Sequence, residues 1–125
     1  MREIRVALPE GMSGNQRVLQ AWEFGSEGPL AYLQAGLHAD ELPGVLALHA
    51  LRQQLMVLEQ QGALRGRIRL VPQANPIGLD QWHLGLHQGR FLAASGQNFN
   101  RGFPMLVTQG EAIPAGQSAR SLLQG

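Results

Sequence analysis

The stretch LAYLQAGLHADELPGVLALHALRQQLMVLEQQG, residues 30–62, contains the strongest structural signals of this 125-residue sequence. Its first part, Leu30 to Ala35, is an almost continuous apolar run, which is typical of a buried strand. Beyond it, apolar residues recur at helical spacing, and Gly62 follows where a helix commonly ends. We therefore predict a buried strand and then a helix over residues 42–61, with Asp40 as its N-cap.

Three further segments have the features of strands. Arg67 to Pro72 alternates charged and aliphatic residues, Arg17 to Phe24 is largely apolar, and Arg2 to Leu8 is followed by a proline. The order strand, helix, strand indicates a crossover unit, so we predict an α/β fold with a mixed central sheet and flanking helices. Gln73 to Pro104 has no strong period and is predicted to be a long structured loop. Glu111 to Leu123 could form one more helix.

The composition excludes several kinds of chemistry. Hydrophobic residues make up 44% of the chain, enough to bury the core of one domain or part of one. The absence of Cys excludes disulfides and thiolate metal sites. All ten basic residues are arginines, so mechanisms that need a P-loop lysine or a lysine Schiff base are excluded.

Charge and hydropathy also limit the partners. The net charge of +1 and the single Tyr argue against nucleic acid, and we interpret Arg65, Arg67 and Arg69 as a charged strand face. No apolar run approaches the roughly 20 residues of a membrane span. The N-terminus has no apolar signal region. We therefore expect a cytoplasmic protein that does not bind membranes.

The segment GLHADE, residues 36–41, joins the predicted buried strand to the predicted helix. In α/β sheets, ligands collect at the carboxyl ends of strands. His38 and Glu41 lie three residues apart across this junction, a spacing that lets imidazole and carboxylate converge on one metal ion. On spacing alone a structural interpretation is favoured, in which Glu41 faces solvent in the first helical turn and is stabilised by the helix dipole.

The segment NFNRGFP, residues 98–104, is a polar loop that contains Asn100 and Arg101. An arginine fork binds a carboxylate through two hydrogen bonds, and a neighbouring amide adds direction. Arg90 lies ten residues before Asn100 and could supply a second positive group. The alternative for each arginine is an ordinary surface charge.

Taken in order, three stretches resemble the zinc carboxypeptidase superfamily, specifically its succinylglutamate desuccinylase/aspartoacylase branch. They are AGLHADELPG at residues 35–44, VPQANPIG at residues 71–78, and QNFNRGFP at residues 97–104. The resemblance covers most of residues 30 to 105. It implies a zinc-carboxypeptidase-like fold and one zinc ion in each complete site.

The resemblance also implies roles for individual residues. His38 and Glu41 match the first two zinc ligands, and Asn100 and Arg101 match the pair that holds the carboxylate of the substrate. Arg90 resembles the arginine that polarises the scissile carbonyl and stabilises the oxyanion. In such enzymes zinc and a glutamate base activate the water that attacks an amide carbonyl.

The family pattern places a third ligand, a histidine, and the general base later in the sequence, where we expect them beyond Gly125. His49 is interpreted as a packing residue on the helix. His83 and His87 have the i, i+4 spacing of a helical metal site, but glycines interrupt that segment. Nothing marks Glu111 as a base. We therefore predict that residues 1–125 are a single unit, the N-terminal portion of a larger metallohydrolase domain, and that this portion alone is inactive.

Two functions are therefore predicted. The first is a zinc-dependent hydrolase that cleaves an amide, in an N-acyl amino acid or at a C-terminal peptide bond, beside the carboxylate of its substrate. The second is a non-catalytic module with the same fold that binds a carboxylate or a partner protein. An incomplete sheet would also expose an edge, through which the chain could associate with itself.

Overall fold

A computed structural model describes residues 1–10 and 14–103. The secondary structure elements are, in chain order, β1 Arg2–Ala7, β2 Val18–Phe24, β3 Leu30–Gln34, α1 Leu42–Gln60, β4 Arg67–Val71, α2 Pro76–Leu79, β5 Trp82–His83 and β6 Leu86–His87. The four strands and the long helix lie where the sequence predicts them, within one or two residues at each end. The helix predicted over Glu111 to Leu123 lies outside the described residues.

The main sheet is mixed, as predicted, with strand order β1-β2-β4-β3. β2 pairs antiparallel with both β1 and β4, while β3 and β4 are parallel and are joined by α1. The predicted crossover unit is therefore present. Leu33 lies beside Leu70 and Gln34 beside Val71, so the carboxyl ends of β3 and β4 meet at the same edge of the sheet.

The core lies between α1 and the sheet. It consists of Trp22 and Phe24 from β2, Leu70 from β4, and Leu48 and Leu55 from α1. Apolar burial thereby fixes β2, β4 and α1 to one another, and Leu33 of β3 packs against the same core. Within the part of the chain that the structure describes, no helix is both long enough and apolar enough to cross a bilayer.

β3 is not the buried strand that its apolar run predicts. Among the described residues it lies at the edge of the sheet, and Ala31, Tyr32 and Gln34 are exposed. β4 takes the inner position because it pairs on both sides, with β2 and with β3. A short apolar run is compatible with either position, since burial of one face is sufficient to favour apolar residues.

The N-cap of α1 is Glu41, not the predicted Asp40, and its side chain makes no capping hydrogen bond. The residues before the helix form a turn in which the Glu41 N–H donates to the His38 carbonyl at 3.0 Å. This turn directs the Glu41 carboxylate toward other side chains. The helix ends as predicted, with Gly62 in the left-handed region at φ 65°.

Residues 73–103 contain more regular structure than the predicted loop. α2 follows β4, and β5 and β6 form a two-stranded hairpin closed by Leu84 and Gly85, which both have positive φ. Such a turn matches the twist of two short antiparallel strands. The hairpin also explains why the spacing of His83 and His87 does not produce a helical metal site, because the two residues lie on opposite strands.

Candidate metal and carboxylate site

Three loops meet at the carboxyl ends of β3 and β4. The first, residues 35–41, leaves β3, the second, residues 72–75, leaves β4, and the third, residues 88–103, follows β6. The Ala74 N–H donates to the Ala35 carbonyl at 2.9 Å, and the Ala39 N–H donates to the carbonyl of Gly89 in the third loop at 2.9 Å. Backbone hydrogen bonds therefore position this cluster of loops where α/β folds collect ligands.

Asn75 is a buried residue that joins two of these loops. Its side-chain amide donates to the Leu37 carbonyl at 2.9 Å, and its Oδ1 accepts from the Gly78 N–H at 2.8 Å as the N-cap of α2. The sequence indicates only a turn at this position. The structure shows that the turn also supports the segment that presents His38.

Two glycines allow the loops to approach closely. Gly36 has φ 65°, and a Cβ there would lie 3.2 Å from the Pro72 carbonyl oxygen. A Cβ on Gly89 would clash with the backbone nitrogen of Asp40 and lie 2.9 Å from the Ala39 carbonyl carbon. Gly89 therefore permits the contact that places its neighbour, Arg90, beside the first loop.

His38 and Glu41, the predicted metal pair, are in contact. His38 Nδ1 lies 3.1 Å from Glu41 Oε1. The His38 side chain is buried, at 6% exposure, while that of Glu41 is 57% exposed. The pair therefore has one fixed, desolvated member and one that faces an opening.

Asn98 contacts the outer nitrogen of the His38 ring and indicates its hydrogen-bonding role. Asn98 Oδ1 accepts the backbone N–H of Asn100 at 2.8 Å, which fixes the orientation of the amide. His38 Nε2 lies 2.8 Å from the same oxygen and so has to donate. In the neutral imidazole, Nδ1 then has a free lone pair, directed toward Glu41.

Arg90 contacts both members of the pair. Its Nη1 lies 2.8 Å from His38 Nδ1, and its Nη2 lies 2.6 Å from Glu41 Oε1. Because a guanidinium only donates, this contact agrees with the lone pair on Nδ1.

Asn100 and Arg101, the predicted carboxylate pair, are placed differently from each other. Asn100 is linked to the metal pair through Asn98. The Arg101 side chain is exposed and donates to the Asn100 carbonyl at 2.6 Å. Among the described residues it contacts neither His38 nor Glu41, so its guanidinium faces solvent beside the site.

The other histidines do not join the pair. His49 packs edge-on against Trp22 with ring centroids 5.6 Å apart, as predicted for a packing residue. His87 contacts the Gly78 and Leu79 carbonyls, and His83 is exposed. Within residues 1–10 and 14–103, no cluster of three or more His, Cys, Asp or Glu side chains could hold a metal.

The donor chemistry of the pair fits a divalent ion such as zinc. Two ligands of a tetrahedral zinc ion are about 3.3 Å apart, and the observed separation of 3.1 Å is close to that edge. The remaining ring nitrogen of His38 donates to a side-chain oxygen, the arrangement that commonly orients a metal-bound histidine. Among the described residues this pair would supply two protein ligands, whereas a catalytic zinc site has three.

Sequence and structure comparisons give a consistent result. The model of the succinylglutamate desuccinylase/aspartoacylase catalytic domain matches residues 27–123. A succinylglutamate desuccinylase/aspartoacylase family protein from Shewanella amazonensis SB2B has a similar structure, with a TM-score of 0.69 and 32% identity over 83% of this chain. A candidate succinylglutamate desuccinylase/aspartoacylase from Shewanella frigidimarina NCIMB 400 gives a TM-score of 0.70 and 30% identity over 86%.

The chain spans only part of these relatives. The aligned region covers 29% of the length of each of the two Shewanella proteins. A comparison with curated protein sequences gives no significant match.

Proposed function

Because the chain belongs to the succinylglutamate desuccinylase/aspartoacylase catalytic domain family, we propose that it contributes to a zinc-dependent amidohydrolase. Its substrate would be an N-acyl amino acid or peptide with a free carboxylate beside the scissile amide. One observation supports the metal most directly: an imidazole nitrogen, His38 Nδ1, and a carboxylate oxygen, Glu41 Oε1, lie 3.1 Å apart. This separation is close to the distance between two ligands of one tetrahedral zinc ion.

In this proposal each residue of the loop cluster has a defined task. His38 and Glu41 hold the metal, and Asn98 orients the His38 ring by accepting from its other nitrogen. When bound there, zinc would polarise the carbonyl of the substrate and lower the pKa of a bound water to about 7. Asn100 and Arg101 hold the carboxylate of the substrate, Arg101 through its exposed fork.

Arg90 has the chemistry to stabilise the oxyanion that forms at the carbonyl. It is a permanent cation, and its side chain is 42% exposed beside the metal pair. A guanidinium in this position would donate to the developing negative charge without losing a proton. The complete reaction also requires a third ligand and a general base, which we propose come from other parts of the whole protein.

Metal binding is the direct test. Zinc affinity would be measured by competition with a chromogenic chelator for the wild type, for the double variant H38A/E41A and for H83A as a control. H83A removes an exposed histidine from the hairpin and should leave the affinity unchanged. We expect one zinc per chain in the wild type and at least about a hundredfold loss in the double variant, since both ligands are absent.

Two results would contradict the proposal. Stoichiometric zinc binding with unchanged affinity in H38A/E41A would show that the metal binds elsewhere. Binding of an N-acyl amino acid with the same affinity in H38A/E41A and in EDTA would favour the non-catalytic carboxylate-binding module.

A further inference from the structure

The Arg90 guanidinium contacts both of the proposed metal ligands. Its Nη1 takes the lone pair of His38 Nδ1 at 2.8 Å, and its Nη2 takes that of Glu41 Oε1 at 2.6 Å. Nη2 also lies 3.9 Å from Asp40 Oδ2. One cation therefore neutralises the repulsion between two acceptors that are 3.1 Å apart.

A divalent ion at the pair would need the lone pair of His38 Nδ1, which accepts from Arg90 in this arrangement. This nitrogen has one lone pair, which accepts either one hydrogen bond or one coordinate bond, so Arg90 and a metal cannot both bind His38 Nδ1 in this arrangement. The two are also like charges, which repel strongly at such short distances. Binding of the metal therefore requires that the Arg90 side chain moves.

The surroundings of Arg90 permit that movement. The backbone is held, because the Arg90 carbonyl accepts the Phe99 N–H at 3.1 Å and the preceding Gly89 carbonyl accepts the Ala39 N–H. The side chain is 42% exposed and has several rotatable bonds. The guanidinium can therefore leave His38 and Glu41 without any change in the loops.

We propose that Arg90 is an internal competitor of the metal, and that binding of the metal releases its guanidinium from His38 and Glu41 toward the substrate side of the site. This rests on the proposed function, since it requires a metal at the pair. Its consequence is that Arg90 becomes available to a substrate carbonyl only when the metal is in place. An anionic group of a ligand could then bind Arg90 only in a site that already holds the metal.

Zinc affinity of Arg90 variants tests the competition. R90Q removes the charge, R90K keeps it on a different head group, and R101Q is the matched control, because it removes the same charge from a nearby arginine that does not contact the pair. We expect R90Q to bind zinc about tenfold more tightly than the wild type, R90K to lie between them, and R101Q to change by less than about twofold.

Chemical modification of arginine gives a second measurement that does not depend on activity. Phenylglyoxal labelling would be followed by peptide mass spectrometry in EDTA and in saturating zinc. Zinc should increase the rate of labelling at Arg90 several-fold, while Arg101 provides the internal reference and should react equally in both.

The outcomes separate this inference from the proposed function. Suppose that the wild type binds zinc through His38 and Glu41, that R90Q binds it with the same affinity, and that the rate of Arg90 labelling is the same with and without zinc. The proposed competition is then overturned, while the proposed metal site is retained. Protection of Arg90 by zinc would also overturn it. If neither the wild type nor R90Q binds zinc, both proposals fail.

Discussion

Asn98 affects the chemistry of the site indirectly, through the residues that it holds in place. It contacts no proposed substrate group, yet its Oδ1 accepts from His38 Nε2 and from the Asn100 N–H, both at 2.8 Å. These two bonds fix the imidazole and the loop that leads to Arg101 at the same time. A polar side chain behind a metal ligand commonly acts in this way.

Replacing Asn98 should therefore weaken metal binding without removing a ligand. We expect N98A to reduce zinc affinity by about 10- to 100-fold, because the His38 ring loses the acceptor that selects its tautomer. N98D should retain most of the affinity, since a carboxylate accepts the same two hydrogen bonds. Chelator competition would measure all variants, with the exposed neighbour variant Q97A as control. Equal affinities for N98A and the wild type would show that the ring is oriented by other contacts.

The residues of the site differ in how far sequence predicts them. The convergence of His38 and Glu41 is predictable because they are three residues apart at a strand-to-helix junction. Asn98 is 60 residues from His38 in the sequence, so no local spacing indicates their contact. Its motif, NFNR, marks the position as polar, but only the folded loops show which atom it meets.

At the scale of elements, β1, β2 and β4 are connected by a buried carboxylate. Glu23 is 7% exposed and accepts hydrogen bonds from Arg69 at 2.9 Å and from Arg2 at 2.8 Å. Burial raises the pKa of Glu23, but hydrogen bonding and charge from Arg69, together with the charge of Arg2, outweigh it and lower the pKa overall. Arginines at alternate strand positions thus have a structural role that their spacing alone does not reveal.

The stabilisation from Glu23 should depend on pH with a defined sign. Since the folded pKa lies below the ordinary value of about 4.5, the contribution is complete above that value and is lost as the pH falls through the folded pKa. We expect E23Q to lower the free energy of unfolding by about 1–3 kcal/mol at neutral pH and by less near pH 3. Urea unfolding at both pH values measures this, with E27Q as the exposed control. If E23Q lowers the free energy of unfolding by as much near pH 3 as at neutral pH, the ion pairs of Glu23 are not the source of the effect.

The elements themselves follow from sequence to different degrees. α1 is predictable because its apolar spacing continues for five turns and Gly62 ends it. Its N-cap is not, because the Glu41 side chain contacts His38 and Arg90 and does not cap the helix. The β5–β6 hairpin cannot be predicted from the sequence, because strands of two residues are too short to show an alternation of apolar and polar side chains.

At the scale of the whole molecule, the mixed sheet follows from the order of its elements, but the position of each strand within it does not. β1 and β3 are the two outer strands of the described sheet. β1 has Arg2, Glu3 and Arg5 along its length, and charges of this kind discourage pairing with another chain. β3, with the sequence LAYLQ, has no charge. The β3 edge is therefore the better surface for self-association.

We expect the chain to self-associate through β3, and Y32K to weaken that association. Tyr32 is 44% exposed, and pairing of two β3 strands would bring two lysines close together, which should raise the dissociation constant about tenfold. V6K is the matched control, because Val6 is 49% exposed on the opposite outer strand. Sedimentation velocity over a wide concentration range would measure the self-association of the wild type, Y32K and V6K. A chain that remains monomeric throughout, or one that V6K dissociates and Y32K does not, would show that the β3 edge is not the contact.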